Sequence, residues 1–190
     1  MSKYSHKGHP HSDTPEVRRA LAALAQTGDA EAFACLYSLC HAGFVRLAFR
    51  LCGKQEAARD IVQDAAMIMS RKIESLKDPS AFNAWAYRII RYRVQDYFRR
   101  VKRRSETTLL DDGLETAMSP TLDAGLTLRQ CLAQLGEADR RLLLLFYVDG
   151  LTGREMSEAL GLPIGTIKSR LFAIRQKFKQ IYNQEGDHDE

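Results

Sequence analysis

The chain has 190 residues, of which 45% are apolar and 27% charged, enough to bury a core in one domain or in two small ones. Its formal net charge is +4, so the distribution of charge matters more than the total. No apolar run approaches the roughly 18 residues that span a bilayer, and the first 15 residues lack the apolar centre of a secretory signal. We therefore expect a cytoplasmic protein without direct membrane insertion.

After a polar tail at residues 1–15, the sequence predicts helix almost throughout, because Ala, Leu, Arg, Glu and Gln dominate and alternating β-branched residues are absent. The first three helices are expected at about 15–27, 30–51 and 55–75, with Gly43 as a candidate break in the second. A fourth begins after Asp78-Pro79-Ser80 and continues to about Arg104.

The composition changes after residue 104. Between Ser105 and Leu128 there is no lysine or arginine, and acidic residues accumulate beside glycine, serine and proline. This predicts an acidic flexible linker at 105–126. Three short helices are expected next, at 127–135, 137–148 and 153–160, then a basic helix and a tail at 184–190. The predicted fold is all-α, with helical domains at 16–104 and 127–183.

The segment 151–179 predicts a helix-turn-helix, in which Gly161 tolerates the positive φ of a turn and Pro163 suits the start of the next helix. In that second helix, apolar residues recur at spacings of three and four: Ile164, Ile167, Leu171, Ile174, Phe178 and Ile181. Its other side carries only positive charge, as expected of a helix laid along phosphates. Two ordinary helices joined by a glycine turn would give a similar pattern.

The densest positive region is 88–104, RIIRYRVQDYFRRVKRR. On a helix, the face opposite the apolar side carries Arg88, Arg91, Tyr92, Gln95 and Arg99. Guanidinium groups neutralise phosphates and aromatic rings stack on unpaired bases, so this face suits single-stranded nucleic acid. The alternative is a solvated basic helix whose aromatic rings lie in the core.

The preceding helix reads ARDIVQDAAMIMSRKI. Its inward stripe is Ile61, Val62, Ala65, Met69 and Ile73, and its outward face carries Asp60, Gln63, Asp64, Met67 and Arg71. That outward face is either a docking surface for a protein partner or an ordinary solvated face. The turn from Lys77 to Phe82 is either a connector or a place where an extruded base is held.

The chain has four cysteines without a CxxC pair, for which buried free thiols are the default: Cys35, Cys40, Cys52 and Cys131. A zinc or redox cluster of Cys35, Cys40, His41 and Cys52 fits no common zinc spacing. The tract of His6, His9 and His11 offers at most weak metal binding, and a disordered terminus is favoured. We therefore expect no metal and no cofactor.

Taken together, these motifs resemble the bacterial sigma factors of the extracytoplasmic-function group. The resemblance is carried by DIVQDAAMIM, then FNAWAYRIIRYRVQDYFRR, then the acidic linker, then LLLLFYVDGLTGREMSEALGLPIGTIKSRLF, and it covers about residues 31–178. It implies a dissociable subunit of RNA polymerase that selects promoters and catalyses nothing itself.

The resemblance also implies partners and contacts. Core RNA polymerase would offer its β′ clamp helices to Asp60, Gln63, Asp64 and Met67, and its β flap to the second domain. The linker would thread through the polymerase cleft. The melted minus-ten strand would contact Lys77, Ser80, Phe82, Arg88, Arg91, Tyr92, Gln95 and Arg99. The minus-thirty-five duplex would contact Thr166, Lys168, Ser169, Arg170 and Phe172, with Arg175 and Lys177 toward its backbone. An anti-sigma factor, often membrane-anchored in such systems, would hold the protein inactive.

Two positions depart from the family pattern. Tyr92 stands where members usually have an asparagine that helps to read the unpaired strand, which leaves base preference open there. Ala173 replaces a basic residue, so the upstream element would be read with one charge fewer.

Two other classes of function provide alternatives. A stand-alone dimeric helix-turn-helix regulator explains segment 153–179 but leaves DIVQD and the arginine-rich helix without a role. A nuclease or deaminase lacks its usual sequence signatures here, since there is no H-x-E with P-C-x-x-C and no glycine-rich phosphate loop.

Overall fold

The computed structural model describes residues 13–107 and 132–186. The chain divides into two compact units, Met1–Ala117 and Met118–Glu190, hereafter unit 1 and unit 2. Every regular element in the described part is helical, which confirms the all-α prediction. The predicted linker at 105–126 lies outside the described residues, apart from the end of a helix that continues to Thr107.

In the described residues, unit 1 contains four α-helices and two 3₁₀ turns. They are α1 Pro15–Gln26, α2 Ala30–Cys52, α3 Gln55–Lys72, the turns Ile73–Ser75 and Pro79–Ala81, and α4 Phe82–Thr107. Side-chain caps set the first two starts, because Thr14 and Asp29 accept hydrogen bonds from backbone N–H groups one turn ahead. Gly53 ends α2 in the left-handed conformation, with a φ of 77°.

The prediction was wrong in two details of unit 1. Helix α2 is not interrupted at Gly43, and α3 ends at Lys72, where the expected helix tightens into the turn Ile73–Ser75. A glycine inside a helix costs only about 1 kcal/mol. Burial of Leu36, Phe44 and Leu47 on both sides of Gly43 outweighs that cost.

Helix α2 is the centre of unit 1 and packs against α1, α3 and α4. Phe44 is fully buried and meets the ring of Tyr87 edge-on, with 5.7 Å between ring centroids. By length and composition alone, α2 is the one helix in the described part of the chain that passes as a membrane span, a test that the apolar core helix of a soluble protein also passes. Helix α2 is apolar because it packs against three other helices in the core of unit 1.

The cysteines of unit 1 are free thiols. Cys40 and Cys52 are buried and Cys35 is half-buried, while Cys131 lies outside the described residues. The Sγ of Cys52 donates to the carbonyl of Lys54, and burial raises the pKa of this thiol. Within 13–107 and 132–186, no three His, Cys, Asp or Glu side chains gather as metal ligands do. The histidine tract lies outside the described residues.

In its described part, unit 2 consists of α5 Glu137–Leu143, a π-helical segment Leu144–Val148, α6 Gly153–Leu160 and α7 Ile164–Gly186. The helix expected at 137–148 therefore changes its hydrogen bonding after Leu143. Helix α7 continues beyond residue 183, into the stretch predicted as a tail. The helix expected at 127–135 falls mainly outside the described residues.

The helix-turn-helix prediction is confirmed at α6 and α7, where local hydrogen bonds fix the turn. Thr152 and Glu155 form a capping box at the start of α6. Gly161 ends α6 at a φ of 69°, and its N–H donates to the carbonyl of Ser157 over 2.8 Å. The Oγ of Ser157 in turn donates to the carbonyl of Leu162 over 2.6 Å. Both ends of the turn are thereby held by α6.

The predicted apolar stripe of α7 forms the core of unit 2 with one exception. Ile167, Leu171, Ile174 and Ile181 are buried, and Phe178 is half-buried. The prediction was wrong for Ile164, which is exposed because it begins α7 at the rim of the turn. Burying one side of α7 leaves its polar and basic residues on the other.

Candidate nucleic-acid and partner interfaces

One face of α4 carries the side chains predicted to contact unpaired DNA. Arg88, Tyr92, Gln95 and Arg99 are exposed, and Arg91 is half-buried at the edge of the same face. Ile90 and Val94 are buried on the opposite side, where they hold α4 against the rest of unit 1. The arrangement brings positive charge and an aromatic ring to the surface together, which is the composition that binds single strands.

The exposed ring of Tyr92 is held by its neighbour. The Cζ of Arg91 lies 4.4 Å from the centroid of the Tyr92 ring, within the range of a cation–π interaction. Tyr92 nevertheless keeps 47% of its surface exposed. The guanidinium and the ring therefore form one stacked pair at the surface.

Asp96 is a charged residue of this helix that was not predicted from the sequence. Its carboxylate pairs with Arg93 and with Arg99, whose Nη2 lies 2.5 Å away. The spacing of three residues from each arginine was the signal that could have predicted these pairs. Asp96 therefore offsets part of the positive charge on Arg99.

The turn before α4 is structured by Asp78. Its Oδ1 accepts hydrogen bonds from both the N–H and the hydroxyl of Ser80, at 2.9 and 2.6 Å. The side chain of Gln26 anchors the turn from α1 by donating to the carbonyl of Leu76. Ser80 and Lys77 are exposed, so both remain available to a ligand.

Phe82 corrects one assignment from the sequence. It is only 2% exposed, and its ring lies 6.3 Å from that of Phe44 and 6.0 Å from that of Trp85, measured between ring centroids. A side chain enclosed in this way cannot stack on a base. Phe82 therefore belongs to the core that supports the turn, and the prediction that it contacts DNA was wrong.

The outward face of α3 has the composition that the sequence predicted. Asp60, Gln63, Asp64 and Met67 are all exposed, and Met67 keeps 53% of its surface accessible. An exposed methionine between carboxylates gives a face with both apolar and acidic character, as in many protein interfaces. The Nη2 of Arg100 lies 3.9 Å from Asp64, so the acidic face of α3 adjoins the basic end of α4.

A groove beside this face was not predicted. It lies between α2 and α3 and encloses about 590 Å³. Its lining includes Tyr37, His41, Arg46, Arg59 and Gln63. Gln63 belongs both to the groove and to the acidic face, so the two surfaces are continuous. The i, i+4 spacing of Arg59 and Gln63 was visible in the sequence, but the partner helix was not.

Helix α7 presents the residues predicted to read duplex DNA. Lys168, Ser169, Arg170, Phe172 and Lys177 are exposed, and Thr166 is half-buried. Phe172 is 63% exposed, an unusual position for a large apolar ring unless a partner covers it. No acidic residue lies between Pro163 and Ile181 to offset the positive charge.

Arg175 and an apolar groove occupy another side of α7. The guanidinium of Arg175 contacts the rings of Phe146 and Tyr147. A groove of about 480 Å³ lies at this place, lined by Arg175, by Lys179 and by six mainly apolar side chains: Leu132, Leu143, Leu144, Tyr147, Val148 and Phe178. The sequence did not predict this groove, because the groove is assembled from three separate segments.

Comparison with known proteins assigns both units. Residues 36–104 match the family model of sigma-70 region 2, and residues 126–178 match that of sigma-70 region 4. The chain is 27% identical over 168 residues to the ECF RNA polymerase sigma factor SigW of Bacillus subtilis, covering 80% of this chain and 90% of that protein. It is 33% identical over 132 residues to the RNA polymerase sigma factor SigZ of the same organism, covering 65% of this chain and 73% of that protein.

A solved structure shares the fold. The sigma factor RpoE of Bartonella quintana, crystallised with the anti-sigma factor NepR, aligns with a TM-score of 0.62. The alignment covers 81% of this chain and 98% of that one at 24% identity. At this identity the likeness concerns the helical architecture alone.

Proposed function

Because the chain belongs to the sigma-70 family, in its extracytoplasmic-function group, we propose that it directs RNA polymerase to promoters by reading two forms of DNA with two separate units. The domain at 16–104 docks on core polymerase and holds the melted minus-ten strand. The domain at 127–183 reads the minus-thirty-five duplex. The linker at 105–126 joins them. The polymerase, not this chain, carries out RNA synthesis.

The observation that carries this proposal is the pairing of two unlike surfaces in unit 1. The acidic, methionine-bearing face of α3 adjoins the arginine and tyrosine face of α4 through Asp64 and Arg100. A protein-docking face beside a strand-binding face lets the polymerase deliver opened DNA directly to α4. Binding only the unpaired form shifts the equilibrium of base-pair opening toward the open state.

Docking involves both units. We assign Asp60, Gln63, Asp64 and Met67 to the β′ clamp helices. We assign the apolar groove of unit 2 to the β flap, since a groove with few polar groups suits an apolar segment of a partner. When both units are bound to one polymerase, binding of one unit to DNA raises the effective concentration of the other unit near its own DNA element. Two surfaces that bind DNA weakly can therefore bind one promoter together.

Regulation and location follow from the same family. The Bartonella quintana relative was solved with an anti-sigma factor. We propose that an anti-sigma factor likewise controls this chain by covering the surfaces of α3, α4 and α7. The protein would then act in the cytoplasm, where core polymerase and promoter DNA are found.

The test is reconstitution with core RNA polymerase. Wild-type chain should form a heparin-resistant, promoter-specific open complex. The double variant Arg88→Ala/Arg91→Ala should bind polymerase normally but open DNA poorly, and Lys168→Ala/Arg170→Ala should lose recognition of the upstream duplex. Arg19→Ala, which removes an exposed charge from α1, is the matched control and should behave as wild type.

Three results would count against the proposal. The first is failure of the wild-type chain to bind core polymerase or to direct initiation. The second is a palindromic footprint by the free protein, which would favour a dimeric regulator. The third is an equal effect of all three variants on opening, which would mean that bulk charge acts rather than these faces.

A further inference from the structure

The groove between α2 and α3 has the size of a small-molecule site. It encloses about 590 Å³, and small-molecule sites range over about 300–1,000 Å³. The residues of α2 that line it extend from Tyr37 to Arg46, which at about 1.5 Å per residue covers about 13 Å of that helix. On α3 the lining extends from Gln55 to Gln63. A groove of this length has room for a base, a sugar and phosphates in line.

The groove carries positive charge. Arg46 and Arg59 line it and are exposed, and none of the described residues in its lining is acidic. Glu56 and Asp60, the carboxylates next in sequence to Arg59 on α3, lie outside that lining. Arg46 also interacts with another group of the protein, so the argument for charge rests first on Arg59. A guanidinium group binds phosphate oxygens through paired hydrogen bonds, which indicates an anionic ligand.

Aromatic rings lie further along α2 from the connection to α3 than the arginine does. His41 is exposed, and its ring centroid lies 5.4 Å from that of Tyr37. Tyr37 in turn packs against the fully buried Phe44, with 6.1 Å between ring centroids. The ring of His41 is therefore supported from the core and offers a surface for stacking. The exposed amide of Gln63 supplies both a donor and an acceptor for the edge of a base.

We propose that this groove binds a nucleoside di- or triphosphate, with the base stacked on His41 and the phosphates held by Arg59 and Arg46. Neither a bare phosphate nor an uncharged nucleoside would use both the rings and the arginines. Gln63 also belongs to the face that we assign to the β′ clamp helices, so a bound nucleotide would compete with core polymerase for unit 1. This competition rests on the proposed function, whereas nucleotide binding itself does not.

Binding is measured with the full chain in the absence of polymerase, by equilibrium dialysis. The probes are ADP, ATP, GDP and GTP, compared with pyrophosphate, with adenosine and with a peptide of glutamates. At least one nucleotide should bind about 10-fold more tightly than each of the three comparison probes, since one stacked base alone contributes about 5- to 100-fold.

Variants locate the site. Arg59→Gln should weaken nucleotide binding by about 10- to 100-fold, because charge-assisted hydrogen bonds are lost. His41→Ala should weaken nucleotide binding and leave pyrophosphate binding unchanged. Both side chains are exposed, so neither change opens a cavity. Arg19→Gln removes an exposed arginine from α1 and is the matched control, which should bind nucleotide as wild type does.

Competition is measured by titrating core polymerase into the chain. With nucleotide at ten times its Kd, the apparent affinity of wild type for polymerase should fall about 10-fold, and that of Arg59→Gln should fall much less. If the wild-type affinity is unchanged while the nucleotide is bound, the competition is overturned.

Three results would overturn the binding site itself. In the first, no nucleotide binds better than pyrophosphate or the acidic peptide, which would leave a groove for anions in general or for a protein segment. In the second, Arg59→Gln binds nucleotide as tightly as wild type, which would place the ligand elsewhere. In the third, Arg19→Gln loses as much affinity as Arg59→Gln, which would assign the binding to net charge. Failure of the proposed function looks different, because the chain would then not bind core polymerase even without nucleotide.

Discussion

The Nε of Arg175 donates a hydrogen bond to the Oη of Tyr147 over 2.8 Å, although 28 positions separate the two residues. The same guanidinium lies 5.4 Å from the centroid of the Phe146 ring and 5.6 Å from that of Tyr147. Helix α7 is thus tied to the π-helical segment by one side chain. The family resemblance gave Arg175 a place near the DNA backbone, and its contacts here give it a structural role.

Replacing Arg175 should therefore affect stability more than DNA binding. Arg175→Ala removes a hydrogen bond and a cation–π contact, each worth about 0.5–1.5 kcal/mol, so we expect unit 2 to lose about 1 kcal/mol because the site is exposed. Tyr147→Phe should lose about half as much. Amide exchange of α7 in the full chain measures both. Lys177→Ala is the control on α7 and should leave exchange unchanged.

The salt dependence of binding to duplex DNA should distinguish Arg175 from Lys168. Lys168→Ala should lower the slope of log K against log salt by about one unit, because one phosphate contact is lost. Arg175→Ala should leave that slope unchanged. The measurement is a salt titration of holoenzyme binding to the minus-thirty-five element. If Arg175→Ala lowers this slope and leaves amide exchange unaltered, Arg175 contacts DNA and has no structural role.

The backbone conformation of the turn between α6 and α7 leads to a prediction about stability. Gly161 has a φ of 69°, where a side chain costs about 1–2 kcal/mol, so Gly161→Ala should destabilise unit 2 by that amount. Gly165 is helical and nothing lies within 4 Å of an added Cβ, so Gly165→Ala should leave stability equal or raise it by up to about 1 kcal/mol. Thermal unfolding of the two variants checks the contrast. Equal losses would show that the left-handed turn is not what selects glycine.

Much of this architecture was predictable because helical periodicity is a local signal. The inward stripe of α3 was predicted correctly, since the spacing of Ile61, Val62, Ala65 and Met69 alone defines one side of a helix. The turn at Gly161 was predictable for the same reason. Local sequence specifies caps, turns and faces, and these were enough to position the helix-turn-helix.

The contacts that local sequence did not indicate depend on distant segments. Phe82 follows a predicted loop and precedes a basic helix, so nothing local indicates that Phe44 and Trp85 enclose it. Arg175 has the spacing of a DNA-facing residue, and its contact with Tyr147 depends on how the chain returns to pack on α7. Grooves between helices were missed for the same reason.

The burial of Phe82 gives a prediction that separates folding from binding. Removing its ring leaves a cavity, so Phe82→Ala should destabilise unit 1 by about 3–5 kcal/mol, and Phe82→Leu by less. Trp85 is the only tryptophan in the chain, so its fluorescence in urea reports on unit 1 alone. Under conditions where Phe82→Leu remains folded, strand binding should be near normal. If a stably folded Phe82→Leu variant binds the unpaired strand weakly, Phe82 contacts DNA.

Alkaline pH should weaken unit 1 through one buried and one half-buried group. Burial raises the pKa of the Cys52 thiol and that of the Tyr37 hydroxyl, so the folded state favours the protonated form of each. A raised pKa contributes stability that is complete below the pKa of the unfolded chain and is lost as pH rises through the folded value. That loss begins near pH 8.5 for a thiol and near pH 10 for a tyrosine.

Two variants identify which group causes each loss of stability at alkaline pH. Cys52→Ala lowers stability at neutral pH but should flatten its decline between about pH 8.5 and 10, because the titrating thiol is gone. Tyr37→Phe should flatten only the decline above about pH 10. Urea unfolding followed by Trp85 fluorescence at a series of pH values gives both slopes. A decline that is equally steep in wild type and in Cys52→Ala would show that the thiol keeps its ordinary pKa in the fold.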